Sequence, residues 1–192
     1  MIFWLIRPCR QRRAKKYINH CWCDGLALRE VLKWEPDKVT LMDLDAQLIE
    51  LFKSPDTLLP TYLAKKIGTL TDNSFNDQRV SVVNEDAFIA VDKLSQKKQI
   101  FDVIIIDLPD PSHPDLNKLD SVNFYYRLNH LLNGDGVIAV QSTSPFHARN
   151  AFISIAKTMQ EANFSLVEQY HQNVPSFGEW GVDCCNKIRR ES

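Results

Sequence analysis

The stretch "FDVIIIDLPDPSHP", residues 101–114, is the most informative about the fold class. Its first six residues are apolar except for one aspartate, a pattern typical of a central parallel strand that is buried on both faces. Asp107 follows this run directly, and three prolines stiffen the loop that carries Asp110. The stretch therefore predicts a buried strand that ends at a cluster of carboxylates.

Strand-like and helix-like segments alternate on both sides of this stretch. Helical periodicity predicts helices at 26–34, 46–53, 87–94, 121–132 and 145–163. Runs rich in β-forming residues predict strands at 38–45, 79–86, 136–142 and 164–176. This alternation predicts an α/β fold with a mostly parallel sheet and helices on both faces. Ligands of such sheets bind beyond the carboxyl ends of the strands.

Charge and hydropathy narrow the function classes. The chain has 192 residues and no apolar run near the roughly 18 residues of a membrane span, so we expect a cytoplasmic protein with no span in this chain. Residues 1–23 carry six basic and no acidic residues, whereas residues 24–181 carry 22 acidic against 14 basic residues, a net charge of −8. An acidic body favours cationic ligands over nucleic acid. The cysteines lack zinc spacing, so we predict no metal site.

Four aspartates fall at or just after predicted strand ends: Asp24, Asp43, Asp86 and Asp107. Each alone also fits a helix cap or a solvated loop carboxylate, and Asp86 fits an N-cap as well as it fits a ligand. Asp43 stands about 20 residues past a turn, where nucleotide-binding sheets hold ribose hydroxyls. The isoleucines before Asp107 predict partial desolvation, which raises the pKa of a carboxyl and makes it a better base.

These segments together resemble the polyamine aminopropyltransferases, the spermidine synthase family. The matching stretches lie in family order between Asp24 and Gly181: "DGLALREVLK", "VTLMDLD", "VVNEDAF", "FDVIIIDLPDPSHP", "LDSVNFYYRL", "GVIAVQSTSP" and "NVPSFGEWG". They are most similar to the bacterial branch whose enzyme domain can follow a membrane region. The resemblance implies a Rossmann-like sheet of the S-adenosylmethionine-methyltransferase type.

The resemblance also implies the chemistry. Decarboxylated S-adenosylmethionine would serve as co-substrate, with no prosthetic group, and give its aminopropyl group to a diamine such as putrescine, leaving methylthioadenosine. Asp107 would be the catalytic base, and Asp110 and Gln141 would bind the diamine. The donor would be bound by Asp24, Gly25, Asp43, Asp86, Ala87 and Pro114.

The residue chemistry agrees with these roles and leaves two alternatives open. An amine has a pKa near that of lysine, about 10.4, so a carboxylate must both attract the cation and accept its proton. An S-adenosylmethionine-dependent methyltransferase on the same sheet is one alternative, although methyl transfer does not need the two acids of the Asp107–Asp110 loop. A non-catalytic truncated remnant is the other.

The two ends depart from the family pattern. The family's glycine-rich turn reads "CWCDG" here. We expect the family's N-terminal β-domain, which contributes to a homodimer interface, to be missing. We interpret residues 1–23 as an atypical basic leader, 24–181 as the catalytic core and 182–192 as an atypical tail, with both ends read in a shifted frame. We expect residues 1–20 and 183–192 to be poorly packed and the chain as written to be nearly inactive.

Overall fold

A sheet of seven strands organises the part of the chain that the computed structural model describes, residues 14–20, 24–108, 118–175 and 178–187. The strands are β1 (Lys16–His20), β2 (Lys38–Asp43), β3 (Val80–Asn84), β4 (Phe101–Ile106), β5 (Leu132–Gln141), β6 (Phe164–Val174) and β7 (Gly178–Lys187). Their order is β3-β2-β1-β4-β5-β7-β6. The first five are parallel, and β7 runs antiparallel to both of its neighbours. The predicted α/β class with a mostly parallel sheet is confirmed.

Helices follow most strands, as the periodicity predicts. They are α1 (Leu26–Leu32), α2 (Ala46–Lys53), α3 (Pro55–Leu58), α4 (Thr61–Thr71), α5 (Ala87–Gln96), α6 (Val122–Leu131) and α7 (Arg149–Glu161), with 3₁₀ turns at Ser74–Asn76 and Lys118–Asp120. Side-chain caps start several of them. Asp45 accepts hydrogen bonds from two backbone amides of α2, and Ser121 accepts one from Phe124 in α6.

The core lies on both faces of the sheet because successive strand residues point to opposite sides. In β4, Ile104 and Ile106 pack into the cluster with α5, α6 and α7, whereas Val103 and Ile105 pack into the cluster with α1 and α2. Burial on both faces explains why this strand is almost continuously apolar.

The N-terminal expectation of poor packing is wrong for residues 16–20. They form β1 at the centre of the sheet, paired in parallel with β2 on one side and β4 on the other. Tyr17 is 1% exposed and Ile18 is 2% exposed, and they fill the two core clusters from opposite faces. The segment forms a strand because β2 and β4 offer backbone hydrogen-bonding groups along both of its edges. The short stretch "KYINH" by itself does not indicate these two partners.

The C-terminal expectation is wrong for residues 183–187, which belong to β7. This strand lies between β5 and β6, so both of its edges are paired. Cys184 and Cys185, adjacent and therefore on opposite faces, are both buried. The sequence as written therefore forms both β1 and β7. The shifted-frame origin of the two ends stays a hypothesis, which nucleotide sequencing of the locus would test.

Strand β7 also buries an acid, Asp183, which is fully inaccessible to solvent. Its Oδ2 accepts a hydrogen bond from the Ser142 hydroxyl at 2.7 Å. Its Oδ1 has no hydrogen-bond partner within bonding distance among the described residues. The Gln169 amide lies nearby and donates to the Phe152 carbonyl. Burial raises the pKa of Asp183 to about 6, although Ser142 and Gln169 act in the opposite direction.

We expect Asp183→Asn to stabilise the fold above pH 7 and to have little effect near pH 4. The raised pKa means that the folded state prefers the protonated acid, so the stability present below about pH 4 is lost as the pH rises through about 6. Two pKa units correspond to at most about 3 kcal/mol, so we expect a gain of about 1–3 kcal/mol in the free energy of unfolding at pH 8.

Urea unfolding of both proteins at pH 4 and pH 8 measures this difference. Asp135→Asn, which removes an exposed acid from β5, is the matched control and should shift stability by no more than about 0.5 kcal/mol. A gain for Asp183→Asn that is equal at the two pH values would contradict the burial argument.

Candidate active site

The carboxyl ends of four adjacent parallel strands meet at one edge of the sheet, and an aspartate lies at each. Asp43 is the last residue of β2, and Asp107 directly follows β4. Asp86 comes two residues after β3, and Asp24 lies between β1 and α1. The fold thereby brings together four acids that are far apart in sequence.

Asp24 and Gly25 form the turn that enters α1. Asp24 Oδ1 accepts a hydrogen bond from the Leu26 amide at 2.8 Å. Gly25 has a φ of +75°, and a Cβ atom there would lie 2.8 Å from Cε2 of the Phe75 ring, so the position requires glycine. Burial raises the pKa of Asp24, although the Leu26 amide and Arg29 act in the opposite direction.

The end of β2 and the start of the loop after it are held by a side chain from the neighbouring strand. Asn84 Nδ2 donates to the Asp43 carbonyl at 3.0 Å and to the Leu44 carbonyl at 2.9 Å. The Asp43 carboxylate also accepts a hydrogen bond from the Asp45 amide at 2.7 Å. The two strand ends are therefore joined, and the Asp43 carboxylate is held at the edge.

Asp86 both caps a helix and forms an ion pair. Its Oδ1 accepts a hydrogen bond from the Phe88 amide at 2.9 Å, and its Oδ2 lies 2.8 Å from Lys118 Nζ. Burial alone would raise the pKa of Asp86, but Lys118 and the Phe88 amide outweigh it and hold this pKa below its usual value. Ala87, the next residue, is buried at the start of α5.

Asp107 is the acid whose environment is most altered at this edge. Burial, and after it the negative charge of Asp24, raise the pKa of Asp107 to about 6. The isoleucines before Asp107 predict its desolvation, and the negative charge of Asp24 is a second cause of the raised pKa. A carboxyl group with this pKa is largely ionised at pH 7 and is still basic enough to accept a proton.

A short hydrogen-bonded chain links the end of β5 to the residue after Asp107. In the orientation that satisfies both groups, the Gln141 amide nitrogen donates to the Leu108 carbonyl at 2.8 Å, and its oxygen accepts from Trp180 Nε1 at 2.6 Å. Trp180 lies on β7, so the antiparallel strand helps to position the predicted diamine-binding residue.

Two predicted site residues, Asp110 and Pro114, lie outside the described residues, so their roles stay predictions. Sequence reasoning missed Asn84, Lys118 and the role of Trp180. Asn84 could have been noticed as an amide at a strand end, but nothing local indicates that Lys118 pairs with an acid 32 residues away.

Comparison with known proteins assigns the chain and its fold to one family. The model of the spermine/spermidine synthase domain matches residues 23–188. The chain therefore belongs to the spermine/spermidine synthase family, a family of aminopropyl-transferring enzymes.

Individual relatives agree with this assignment. The polyamine aminopropyltransferase of Shewanella oneidensis is 60% identical over 158 residues, which are 82% of this chain and 27% of that protein. The crystal structure of spermidine synthase from Thermotoga maritima superimposes with a TM-score of 0.74 at 27% identity, over 93% of this chain and 55% of that one. A spermidine synthase in complex with the transition-state analogue AdoDATO gives 0.77 at 26% identity, over 98% and 62%.

The chain spans less than a third of the length of the curated relatives it matches. Within the described ranges, no helix is both long and apolar enough to cross a membrane. No group of three or more His, Cys, Asp or Glu side chains in those ranges could hold a metal ion.

We expect Gly25→Ala to destabilise the domain by about 1–3 kcal/mol, because a non-glycine residue at positive φ is strained and its Cβ would collide with Phe75. Gly134→Ala is the matched control, since a Cβ at Gly134 meets no atom within 4 Å. Urea unfolding measures both. Equal effects of the two substitutions would show that the turn tolerates a side chain.

Proposed function

We propose that the protein to which this chain belongs transfers an aminopropyl group from decarboxylated S-adenosylmethionine to a diamine of the putrescine class. The family assignment over residues 23–188 carries this proposal. The four acids at the edge support it, because both substrates are cationic and the body of the chain is acidic. The similarity to a spermidine synthase that binds a transition-state analogue gives further support.

The proposed residue roles are those that the family resemblance implies. Asp24, Asp43 and Asp86, with Gly25 next to Asp24 and Ala87 next to Asp86, would hold the adenosine part of the donor. Pro114 would contact the nucleoside. Asp110 and Gln141 would hold the diamine, and Asp107 would accept its proton. A carboxylate accepts two hydrogen bonds from a vicinal diol, which suits Asp43 to the ribose.

Atoms and charge balance in the proposed step. The diamine enters as an ammonium ion and gives a proton to the Asp107 carboxylate. The nitrogen lone pair then attacks the aminopropyl methylene carbon that is bonded to the sulfonium sulfur, so that a C–N bond forms and the bond between this carbon and sulfur breaks. The electron pair of the broken bond stays on sulfur, which leaves neutral methylthioadenosine, and the product nitrogen carries the positive charge.

The burial of Asp107 and its proximity to Asp24 support its role as base. Because an amine is nucleophilic only when neutral, the acceptor must lose its proton inside the site. A carboxylate beside a second carboxylate attracts the ammonium ion and has a higher affinity for its proton. Cytoplasmic location and a family-type homodimer stay predictions.

Incubating the purified chain with putrescine and either decarboxylated S-adenosylmethionine or S-adenosylmethionine, followed by mass analysis, tests the reaction class. Spermidine and methylthioadenosine from the first donor support the proposal, and a methylated product from the second supports a methyltransferase. Calorimetry with methylthioadenosine distinguishes a chain that binds the nucleoside without turnover from a chain that does neither. Binding without turnover is the outcome expected if the side chains of "CWC" crowd the nucleoside turn, whereas neither binding nor turnover would overturn the assignment for this chain.

In a version restored with the family's glycine-rich turn and N-terminal domain, we expect Asp107→Asn to reduce the rate of aminopropyl transfer by about 10²–10⁴-fold, the usual contribution of a positioned general base. Binding of methylthioadenosine should change much less, because its contacts are assigned to other acids. Asp135→Asn is the control and should retain full activity. A parallel loss of binding and rate in Asp107→Asn would contradict a role as base.

The pH dependence gives an independent test. Since the Asp107 carboxylate must be ionised, kcat/KM should rise with pH through an apparent pKa of about 6. Asp24→Asn removes a neighbouring negative charge, so the acidic limb should move to lower pH. An unchanged limb in that variant would show that Asp24 does not act on the base. These profiles require measurable turnover, and the Shewanella oneidensis relative is the enzyme to use if this chain turns over too slowly.

A further inference from the structure

Charge is distributed unevenly along the edge that carries the four acids. Near Asp86 the acids are matched with bases: Glu85 with Lys93, Asp86 with Lys118, and Asp92 with Arg127. Lys118 Nζ also lies 6.0 Å from the Phe88 ring centroid, and Arg127 Cζ lies 4.5 Å from it. This end of the edge is therefore close to electrically neutral.

The other end, at Asp24 and Asp107, is different. Neither acid forms an ion pair with a base in the described ranges. Arg29 acts on Asp24 only at longer range, because its guanidinium group is bonded to Glu30 and to the Leu70 carbonyl. Among the described residues, negative charge without a directly paired base is therefore concentrated at the ends of β1 and β4.

The proposed substrates have the same uneven charge. The adenine of the donor is neutral, whereas its sulfonium and aminopropyl groups and both ends of the diamine are cationic. An ionised Asp86 without a partner would attract these cations to the adenine end of the site. A neutralised Asp86 can still accept a hydrogen bond, because a carboxylate offers about four acceptor positions and two are used here.

We propose that Lys118 is a specificity-determining residue that neutralises Asp86 and so confines the cationic groups of both substrates to the Asp24–Asp107 end of the site. This inference rests on the proposed function, because it takes Asp86 as the adenine-binding acid. The Asp86 side chain is 26% exposed, so a ligand can reach it while the ion pair is in place. Lys118 acts on electrostatics and orientation and takes no part in the proton transfer.

The test is competition between methylthioadenosine and putrescine, measured by calorimetry on the whole chain. With the unaltered chain, putrescine should leave the Kd of methylthioadenosine unchanged within about twofold. With Lys118→Met, putrescine should bind beside the exposed charge of Asp86 and raise the apparent Kd of methylthioadenosine by about two- to fivefold, the range expected for one partly exposed ion pair. Added salt should reverse this rise.

Three further variants separate the charge of Lys118 from a merely structural role. Lys118→Arg keeps the charge and should behave like the unaltered chain. Lys93→Met removes a base from the same region but leaves Asp86 paired, so it should produce no competition. The double variant Asp86→Asn/Lys118→Met removes both charges and should abolish the competition seen in Lys118→Met.

The outcomes distinguish this inference from the function on which it rests. If Lys118→Met shows no competition, or if the double variant still shows it, the proposed role of Lys118 is wrong. The proposed function remains intact in either case, provided that the unaltered chain binds methylthioadenosine. If the unaltered chain does not bind methylthioadenosine, the proposed function fails for this chain, and the inference falls with it.

Discussion

The parallel pairing of β1 with β2 and with β4 is the constraint on which the site depends. The order of the strands along the chain reverses between β1 and β4, which makes this pair the switch point of the sheet. Asp24 follows one of these strands and Asp107 follows the other, so pairing in register brings the two carboxylates near each other. Without β1 the sheet would lose the strand that joins its two halves.

This placement has an electrostatic cost and a proposed use. Two acids at the end of a buried sheet lose hydration, and both have raised pKa values; at Asp107 the charge of Asp24 adds to this effect. Ligands that carry positive charge relieve the repulsion when they bind. The proposed aminopropyl donor and acceptor both do so, whereas the proposed adenine end of the edge is neutralised by Lys118.

The last strand supports the site from the opposite side. Gly181 approaches the Phe152 ring and the Thr143 carbonyl so closely that a Cβ there would lie 2.4 Å from the ring, which lets β7 lie directly against the end of β5. That contact puts Trp180 within hydrogen-bonding distance of Gln141 and, through it, next to Leu108. It also buries Asp183, whose unsatisfied oxygen reduces the stability that the strand contributes.

Hydrophobic periodicity was enough to establish the α/β class and to place Asp43, Asp86 and Asp107 at strand ends, because this pattern is local and parallel strands end at a common edge by geometry. The position of Asp24 depends on β1, which periodicity did not predict. The strand character of "KYINH" and "VDCCNK" emerged only in the folded chain, since each is short and acquires its hydrogen bonds from two neighbouring strands far away in sequence. Contacts across strand ends were likewise invisible in the sequence. The pairing of Lys118 with Asp86 and of Asn84 with the loop after β2 depends on how separate elements approach one another, and no local pattern encodes that distance.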